Sequence, residues 1–287
     1  MFFVSGITGR VGGAAARLLL EEGHAVRGLV RDPAKAAEWV AKGVEVRQGD
    51  LTDAAALTAA MEGVEGAFVM MPPNFAPQPG YPEAKAIVAA LKEALEKAKP
   101  GRVVALSSIG SEKTSGLGLI TGTHLLEEGL KDLPCPTALV RAGSFIENAL
   151  GALGAAEATG VYYSFYQPTS RAVASIATVD IGAEVAKLLT GNWSGKKIVE
   201  LGSPVTADEM AAAMGEVLGR EVKAQAIPRE RWAATIEGFG MAPGTTWGYE
   251  EMLDGVNSGW INFGVEGTEA VVGTTTPAEV FAKARKG

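Results

Sequence analysis

The sequence contains very little sulfur or imidazole chemistry. Cys135 is the one cysteine among 287 residues, and His24 and His124 are the two histidines. A lone thiol cannot form an intramolecular disulfide, which is typical of a reducing compartment, so we expect a cytoplasmic protein. These residues are also too few for a typical zinc site, and no bound metal is expected.

Long apolar runs and basic clusters are also missing. Glycine or charged residues interrupt the apolar stretches, and we expect neither a signal peptide nor a membrane segment. The 26 basic and 33 acidic residues give a net charge of −7 without a basic patch. Nucleic acid is therefore an unexpected partner, and a small molecule is the expected one. The sequence leaves open whether the protein is a monomer or a homodimer.

Short apolar runs alternate with helical stretches through the first half of the chain. Strands that read as continuous apolar runs are typical of parallel sheets whose two faces are covered by helices. The pattern predicts an α/β fold of the Rossmann type, with a doubly wound parallel sheet. The predicted strands are 2–5, 25–30, 44–48, 67–71, 103–107 and 137–141, and the predicted helices are 10–22, 33–42, 53–61, 82–99 and 121–132.

The alternation becomes less regular after about residue 143. Strands are predicted at 173–178 and 197–201, and helices at 180–189, 207–218 and 278–285. We expect residues 1–150 to form an NAD(P)-binding domain. Residues 151–287 are expected to form a smaller, aromatic-rich C-terminal substrate lobe, interleaved with the first part as one compact unit. Trp232, Trp247 and Trp260 are expected in the core of this lobe.

The most specific motif lies at the amino-terminal end. An apolar strand is followed by three spaced glycines and then by a helix. Glycines remove side chains where a backbone must approach a pyrophosphate, and the helix N-terminus supplies free N–H groups and a partial positive charge. A strand, a glycine turn and a helix in this order predict a dinucleotide site. Its predicted residues are Gly6, Thr8, Gly9, Arg10, Val11 and Gly12.

The end of the second strand distinguishes NAD from NADP. An acidic residue there accepts hydrogen bonds from the ribose 2′-hydroxyl of NAD, whereas an arginine pairs with the 2′-phosphate of NADP. The sequence places Arg31 and Asp32 side by side. Asp32 precedes Pro33 and fits a helix N-cap equally well, while Arg10 adds a second cation. NADP(H) is therefore favoured over NAD(H).

Two further strand ends are predicted to border the cofactor. Asp50, beside Leu51, can accept a hydrogen bond from the adenine amino group, or it can simply cap the turn into the next helix. Met71 and Pro72 end the fourth strand. They would flank the ribose and pyrophosphate, or they merely end the strand.

Together these segments resemble the NmrA-like branch of the short-chain dehydrogenase/reductase superfamily. Residues 6–12 are similar to its GxTGxxG loop, residues 141–148 to its RPGxFxEN segment and residues 178–182 to its "DIG" turn, with further matches at 30–33, 49–51 and 106–108. The resemblance covers nearly the whole chain and implies that Arg31 serves NADP. The branch includes NADPH-dependent quinone and azo reductases, and also redox-sensing regulators that bind the dinucleotide without turnover.

The catalytic pair of that superfamily is missing from its expected place. Most members use a Tyr followed four residues later by a Lys. With Glu127 at the family's glutamate position, Leu119 and Thr123 replace the pair, and a shift of one residue puts Ile120 and His124 there instead. Tyrosine-driven carbonyl reduction is therefore disfavoured. Hydride transfer to an acceptor that takes the charge onto itself does not need this tyrosine.

A few polar residues remain as catalytic candidates. His124 carries the one imidazole in this region and is the best candidate for a proton donor, unless it makes a ribose or structural contact. Ser108 and Ser107 end the fifth strand, where either could hydrogen-bond a substrate oxygen or the ribose, or simply terminate the strand. We assign Ser108 to catalysis and Ser107 to the cofactor.

Residues after the sixth strand are predicted to meet the nicotinamide and the substrate. Phe145 is assigned to the cofactor, with core packing as its alternative, and Asn148 is assigned to the substrate. Tyr163 and Phe165 could form a flat apolar lid over a planar ring, or an aromatic surface loop.

The residues thus predict an NADPH-dependent oxidoreductase that transfers hydride to a small planar electrophile: a quinone, azo compound, imine or activated alkene. The alternative is a non-catalytic NADP(H)-sensing regulator of the NmrA type that acts through a protein partner. The missing Tyr and Lys favour the regulator, and the aromatic C-terminal lobe favours the enzyme.

Overall fold

The computed structural model describes residues 1–286, in which a parallel sheet lies between two layers of helices. The strands are β1 (Phe2–Val4), β2 (Val26–Val30), β3 (Glu45–Gln48), β4 (Gly66–Met70), β5 (Val103–Ser108), β6 (Thr137–Ala142), β7 (Ser144–Phe145), β8 (Val161–Ser164), β9 (Ala172–Ile176), β10 (Lys196–Leu201), β11 (Ser203–Thr206), β12 (Lys223–Ala226) and β13 (Glu269–Val271). The α-helices are α1 (Arg10–Glu21), α2 (Ala37–Ala41), α3 (Ala54–Met61), α4 (Pro82–Ala98), α5 (Thr121–Leu130), α6 (Leu153–Thr159), α7 (Thr178–Thr190), α8 (Ala207–Leu218), α9 (Trp232–Gly238), α10 (Trp247–Ser258) and α11 (Pro277–Lys286). Short 3-10 segments cover Pro33–Ala36, Gly118–Ile120, Ile146–Ala152 and Arg229–Arg231.

The large sheet has eight strands in the order β3-β2-β1-β4-β5-β6-β10-β13. Every neighbouring pair is parallel. Strand order reverses between β1 and β4, and in open parallel sheets a ligand binds beyond the carboxyl ends of the strands at such a point. The predicted Rossmann-type fold is confirmed, and the ligand crevice is expected just after Val4 and Met70.

The pleat of β1 explains why helices cover both faces of the sheet. Phe2 and Val4 enter the apolar core shared with α1 and α7, whereas Phe3 enters the core shared with α3 and α4. Successive strand side chains point to opposite faces. All three side chains are at most 3% exposed, so an uninterrupted apolar strand is buried here only because helices lie on both sides.

One glycine sets the approach of α7 to α1. A β-carbon at Gly182 would lie 2.4 Å from the Ala14 β-carbon and 2.8 Å from the Ala15 nitrogen. The missing side chain therefore lets α7 lie directly against α1. Residues 178–182, singled out in the sequence, thus fix the helix that follows the glycine loop.

The C-terminal half contributes both to the large sheet and to a separate lobe. β10 and β13 extend the large sheet, β11, β9 and β7 form a three-stranded sheet, and β12 pairs with β8. Because the two halves share the large sheet, the division at residue 150 stays a prediction. The strand predicted at 173–178 is too long, since Thr178 begins α7 and donates its amide hydrogen to Glu147 Oε1 at 2.9 Å.

The three tryptophans named above have different environments. Trp232 is 1% exposed and lies in the core of the lobe as predicted. Trp247 packs edge-on against Tyr81 at 5.8 Å. The prediction for Trp260 is wrong, because its side chain is 48% exposed and covers the loop that follows β5.

Within residues 1–286, each helix falls short of the length and apolarity needed to cross a membrane.

Candidate functional site

The loop between β1 and α1 closes tightly around its glycines. Gly6 has a φ of +62°, and a β-carbon there would lie 2.9 Å from Met70 Sδ. A β-carbon at Gly12 would lie 2.4 Å from the Gly6 carbonyl oxygen. The Gly9 amide donates to that same oxygen at 2.8 Å. The turn therefore requires positions 6 and 12 to lack side chains.

The first turn of α1 presents backbone donors to the crevice. Gly9 is its N-cap, and among the described residues no side chain caps this turn and no acidic residue lies in it. Its N–H groups and the positive end of the helix dipole favour an anion. Thr8, Gly9 and Arg10 are exposed, whereas the Val11 side chain is 3% exposed in the core. A pyrophosphate fits this turn, with Val11 contributing its backbone alone.

The end of β2 separates the roles of Arg31 and Asp32. Asp32 accepts a hydrogen bond from the Ala34 amide at 3.0 Å and caps the segment Pro33–Ala36. Arg31 is exposed beside it. The structure thus engages the carboxylate in a local cap and leaves the guanidinium facing solvent, an arrangement that fits a 2′-phosphate better than a 2′-hydroxyl.

Asp50 lies on the same side of the crevice as Arg31. Its Oδ1 accepts hydrogen bonds from the Thr52 amide at 3.0 Å and the Thr52 hydroxyl at 2.8 Å. These two bonds lower the pKa of Asp50, and the Arg31 guanidinium lowers it further. One oxygen of Asp50 therefore makes the turn-capping contacts that the sequence offered as an alternative. The contact of Asp50 with adenine stays a prediction.

The remaining predicted neighbours of the cofactor differ in exposure. Leu51 and Met71 are half-buried against the core shared with α3 and α4. Pro72 is exposed on the segment 71–80 that leaves β4, and Phe145 packs against the core shared with α1. Phe145 thus has the core contacts that the sequence left as its alternative, and the cofactor contacts of these four residues stay predictions.

Two residues at the positions of the missing catalytic pair, Thr123 and His124, make hydrogen bonds to the loop after β5. Thr123 Oγ1 lies 2.8 Å from Ser111 Oγ and donates to the Ile120 carbonyl at 2.8 Å. His124 Nδ1 donates to the Ser111 carbonyl oxygen at 2.9 Å. Both side chains join α5 to this loop, which leaves Nε2 as the nitrogen of His124 that could meet a substrate.

Ser107 belongs to a buried charged network between β5, α5 and β6. It is 3% exposed and donates to Glu127 Oε1. Arg141 donates to both oxygens of Glu127, at 2.9 and 2.7 Å, and Glu112 Oε2 lies 3.3 Å from Arg141 Nη1. Burial opposes the charge of Arg141, but Glu127 together with the charges of Glu112 and Glu200 outweighs burial and raises the pKa of the guanidinium. The Ser107 hydroxyl is thus engaged within the protein, whereas Ser108 is half-buried at the end of β5.

An aromatic cluster lies beyond the carboxyl end of β4. The Phe165 ring centroid lies 6.0 Å from that of Trp232, 6.4 Å from Phe239 and 6.1 Å from Tyr249. Phe75 extends the cluster, 6.5 Å from Tyr249. Since Phe75 follows the carboxyl end of β4, the cluster reaches the edge of the sheet where ligands bind. Phe75 and Phe239 are 55% and 74% exposed, so they leave apolar surface for a ring.

The predicted substrate residues are only partly brought together. Phe165 is central to the aromatic cluster, whereas Tyr163 is 48% exposed and points away from its neighbours Tyr162 and Ser164 on β8. Asn148 is exposed in the segment Ile146–Ala152. Sequence reasoning missed three members of the cluster: Phe75, Phe239 and Tyr249. The sequence carried a signal for Phe75 alone, which follows the strand-ending pair Pro72-Pro73.

Comparison with known proteins gives consistent relatives. The model of the NmrA-like family matches residues 2–252. Quinone oxidoreductase 2 of Escherichia coli is 29% identical over 248 residues, which cover 85% of this chain and 84% of that protein. The NAD(P)H azoreductase of Xenophilus azovorans is 30% identical over 244 residues, which cover 84% and 82%.

Solved structures agree with this. An NADPH-dependent quinone oxidoreductase of Escherichia coli, complexed with NADPH, has a TM-score of 0.80 and 26% identity, covering 99% of this chain and all of that one (100%). A Citrobacter triphenylmethane reductase has the same fold, with a TM-score of 0.80 at 22% identity over 100% of this chain and 99% of its own. The chain belongs to the NmrA-like family.

Proposed function

We propose that the protein is an NADPH-dependent oxidoreductase that transfers hydride to a small planar electrophile such as a quinone or an azo compound. One observation carries the proposal: an uncapped glycine turn and an exposed arginine lie at the same sheet edge as the aromatic cluster. The quinone oxidoreductase and the azoreductase named above support the reaction class. The neighbour complexed with NADPH supports the cofactor.

The residues divide the work between binding and orientation. When bound, the cofactor supplies a hydride together with its electron pair. The first turn of α1 would hold the pyrophosphate, and Arg31 would pair with the 2′-phosphate, with Arg10 as a second cation. Phe165, Tyr249 and their ring neighbours would hold a flat acceptor and exclude water from its face.

The regulatory alternative is not favoured, because the relatives reported above are reductases. We further propose a cytoplasmic location and membership of the short-chain dehydrogenase/reductase superfamily, supported by the lone Cys135 and the glycine turn. For the oligomeric state, the sequence-based expectation of a monomer or a homodimer stays a prediction.

The proposal is tested by following the nicotinamide absorbance of NADPH with a panel of quinones, azo dyes, imines and activated alkenes. Turnover is expected with quinones or azo dyes. Binding of NADPH without turnover on any acceptor would contradict the enzyme and favour the regulator.

The choice of cofactor is tested with Arg31→Ala. Loss of a charged hydrogen-bonding partner of the 2′-phosphate costs about 1.5–3 kcal/mol, or about tenfold to a hundredfold in the NADPH dissociation constant, with NADH binding unchanged. Arg47→Ala is the matched control, since Arg47 is exposed on β3 and pairs with Glu45. Equal losses for NADPH and NADH would contradict a 2′-phosphate site at Arg31.

A further inference from the structure

Ser144 lies where β6 passes into the C-terminal lobe. It follows Gly143 and forms β7 with Phe145, and it is the register partner of Ser175 on β9. A β-carbon at Gly143 would lie 2.4 Å from the Ala174 carbonyl oxygen, so the glycine allows the chain to turn closely against β9. Ser144 is therefore fixed just beyond the carboxyl end of β6, at the ligand-binding edge of the sheet.

The side chain of Ser144 faces the lobe. Neighbouring side chains of a strand point in opposite directions, and Phe145 packs into the core shared with α1. The Tyr166 hydroxyl donates a hydrogen bond to Ser144 Oγ at 3.2 Å. Within residues 1–286, no acceptor takes the hydrogen of Ser144 in turn. That hydrogen is available to a ligand.

Tyr166 lies beside the phenols of two further half-buried tyrosines. Burial and the nearby Tyr166 hydroxyl raise the pKa of Tyr162 and of Tyr249 to about 12. Burial also raises the pKa of Tyr166, so its hydroxyl keeps its proton at neutral pH and remains a donor to Ser144. Since Tyr249 packs against Phe165, the Ser144–Tyr166 pair lies beside the aromatic cluster.

We propose that Ser144 donates a hydrogen bond to the acceptor atom that gains negative charge during hydride transfer, and that Tyr166 is a positioning residue that orients it. The inference rests on the proposed function. Leu119 and Ile120, which stand at the positions matched to the superfamily's tyrosine, carry no hydroxyl. The Ser144–Tyr166 pair would supply a hydroxyl donor in place of that tyrosine. One donor aimed in advance at a developing charge is worth about 10²–10³ in kcat in the best cases.

The proposed step balances without a proton from the protein. NADPH gives a hydride with its two electrons and is oxidised to NADP⁺, and the acceptor is reduced. Water supplies the proton that completes the product, while Ser144 and Tyr166 keep theirs. Such a donor favours acceptors whose charge collects on one oxygen or nitrogen, as in quinones and azo compounds, over purely hydrocarbon acceptors.

The test uses Ser144→Ala, Tyr166→Phe and the double variant, with NADPH and menadione as substrates. Ser144→Ala is expected to lower kcat about tenfold to a hundredfold. Tyr166→Phe keeps the ring and is expected to lower kcat about threefold to tenfold through a less well-oriented donor. Because Tyr166 acts through Ser144, the double variant should equal Ser144→Ala. Ser144→Thr, which keeps a hydroxyl, should recover most of the rate.

A binding measurement gives a readout besides turnover. A hydroxynaphthoquinone that is ionised at neutral pH resembles the charged acceptor, and its absorption spectrum reports binding to protein loaded with NADP⁺. Ser144→Ala is expected to weaken this binding about tenfold, from the loss of a hydrogen bond to a charged group. Binding of uncharged menadione and of NADPH should change by less than about twofold. Ser170→Ala, an exposed serine in the lobe, is the control.

The outcomes separate the two proposals. If the wild-type protein fails to oxidise NADPH with every acceptor of the panel, the proposed function is overturned, and this inference with it. A wild-type protein that turns over, with Ser144→Ala equally fast and anion binding unchanged, overturns this inference alone. Losses in Ser144→Ala and Tyr166→Phe that multiply in the double variant would show that Tyr166 does not act through Ser144.

Discussion

The two sides of the crevice are assembled in different ways. The cofactor side comes from the first βα units of the chain, with Gly6 after β1, Gly12 in the first turn of α1 and Arg31 after β2. The acceptor side brings Phe75 and Tyr249 together from distant segments. The cofactor side therefore depends on backbone geometry that tolerates few residues, whereas the acceptor side depends on side chains that tertiary packing collects. The cofactor of such a protein can therefore be predicted from its sequence more readily than its substrate.

The largest effect is expected in the buried network of Glu127 and Arg141, which joins β5, α5 and β6. Glu127→Gln removes the carboxylate that accepts two hydrogen bonds from the buried Arg141 and leaves Glu112 as its remaining ion-pair partner. This change should lower the free energy of unfolding by about 3–5 kcal/mol. Glu128→Gln is the matched control, because Glu128 is exposed and pairs with Lys131 at 2.9 Å. The control should cost less than about 1 kcal/mol. Urea unfolding of both variants measures this, and equal costs would show that the buried network stabilises the protein no more than an exposed ion pair does.

Gly12→Ala tests the backbone dependence of the cofactor side. The added β-carbon would meet the Gly6 carbonyl at 2.4 Å, which should cost about 1–3 kcal/mol of stability and open the turn. NADPH binding, measured by calorimetry, should be lost with it. Gly154→Ala in α6 is the control, since nothing lies within 4 Å of its β-carbon, and there alanine should gain up to about 1 kcal/mol. Full NADPH affinity in Gly12→Ala would mean that the turn does not hold the cofactor.

The sequence was sufficient for the elements that bear the cofactor side. Buried parallel strands read as apolar runs, so the predicted strands of the first half end within a residue or two of β1 to β6. The glycine spacing could be recognised in the sequence because close contacts leave no room for a side chain at Gly6 and Gly12. The predicted NmrA-like membership is confirmed, and the preference for NADP(H) agrees with the NADPH-bound neighbour.

The lobe was predicted less well, for a physical reason. Helix α10, which carries Tyr249, and strands β8, β11 and β12 have short or mixed apolar patterns, because they are half-buried by contacts distant in sequence. Without α10, neither the partner of Phe75 nor the surroundings of Tyr166 could be deduced. Trp260 shows the same limit, since its aromatic character suggested core whereas Lys113 and Ser115 hold it at the surface.

The acceptor side should show itself in the pH dependence of stability. Burial raises the pKa of Tyr249 to about 12, above its unfolded value of about 10. Below about pH 10 both states bind the proton, so its contribution is constant; between about pH 10 and 12 only the unfolded state loses it, and the free energy of unfolding falls. Tyr249→Phe should reduce that fall by about 1–3 kcal/mol, measured by urea unfolding at increasing pH. An identical fall in both proteins would place this phenol in water.

The smallest effect is expected in a comparison of Phe75→Leu with Tyr163→Leu. This comparison tests whether the acceptor contacts the residue placed by tertiary packing or the residue predicted from the sequence. The sequence predicts Tyr163 as a substrate residue, whereas the structure puts Phe75 against Tyr249 beyond the end of β4 and leaves Tyr163 exposed on β8. An aromatic contact of about 0.5–1.5 kcal/mol predicts that Phe75→Leu raises the KM for menadione about twofold to tenfold, with the KM for NADPH unchanged. Tyr163→Leu should leave both KM values within about twofold of the wild type. The reverse result would mean that the acceptor lies against β8 rather than along the aromatic cluster.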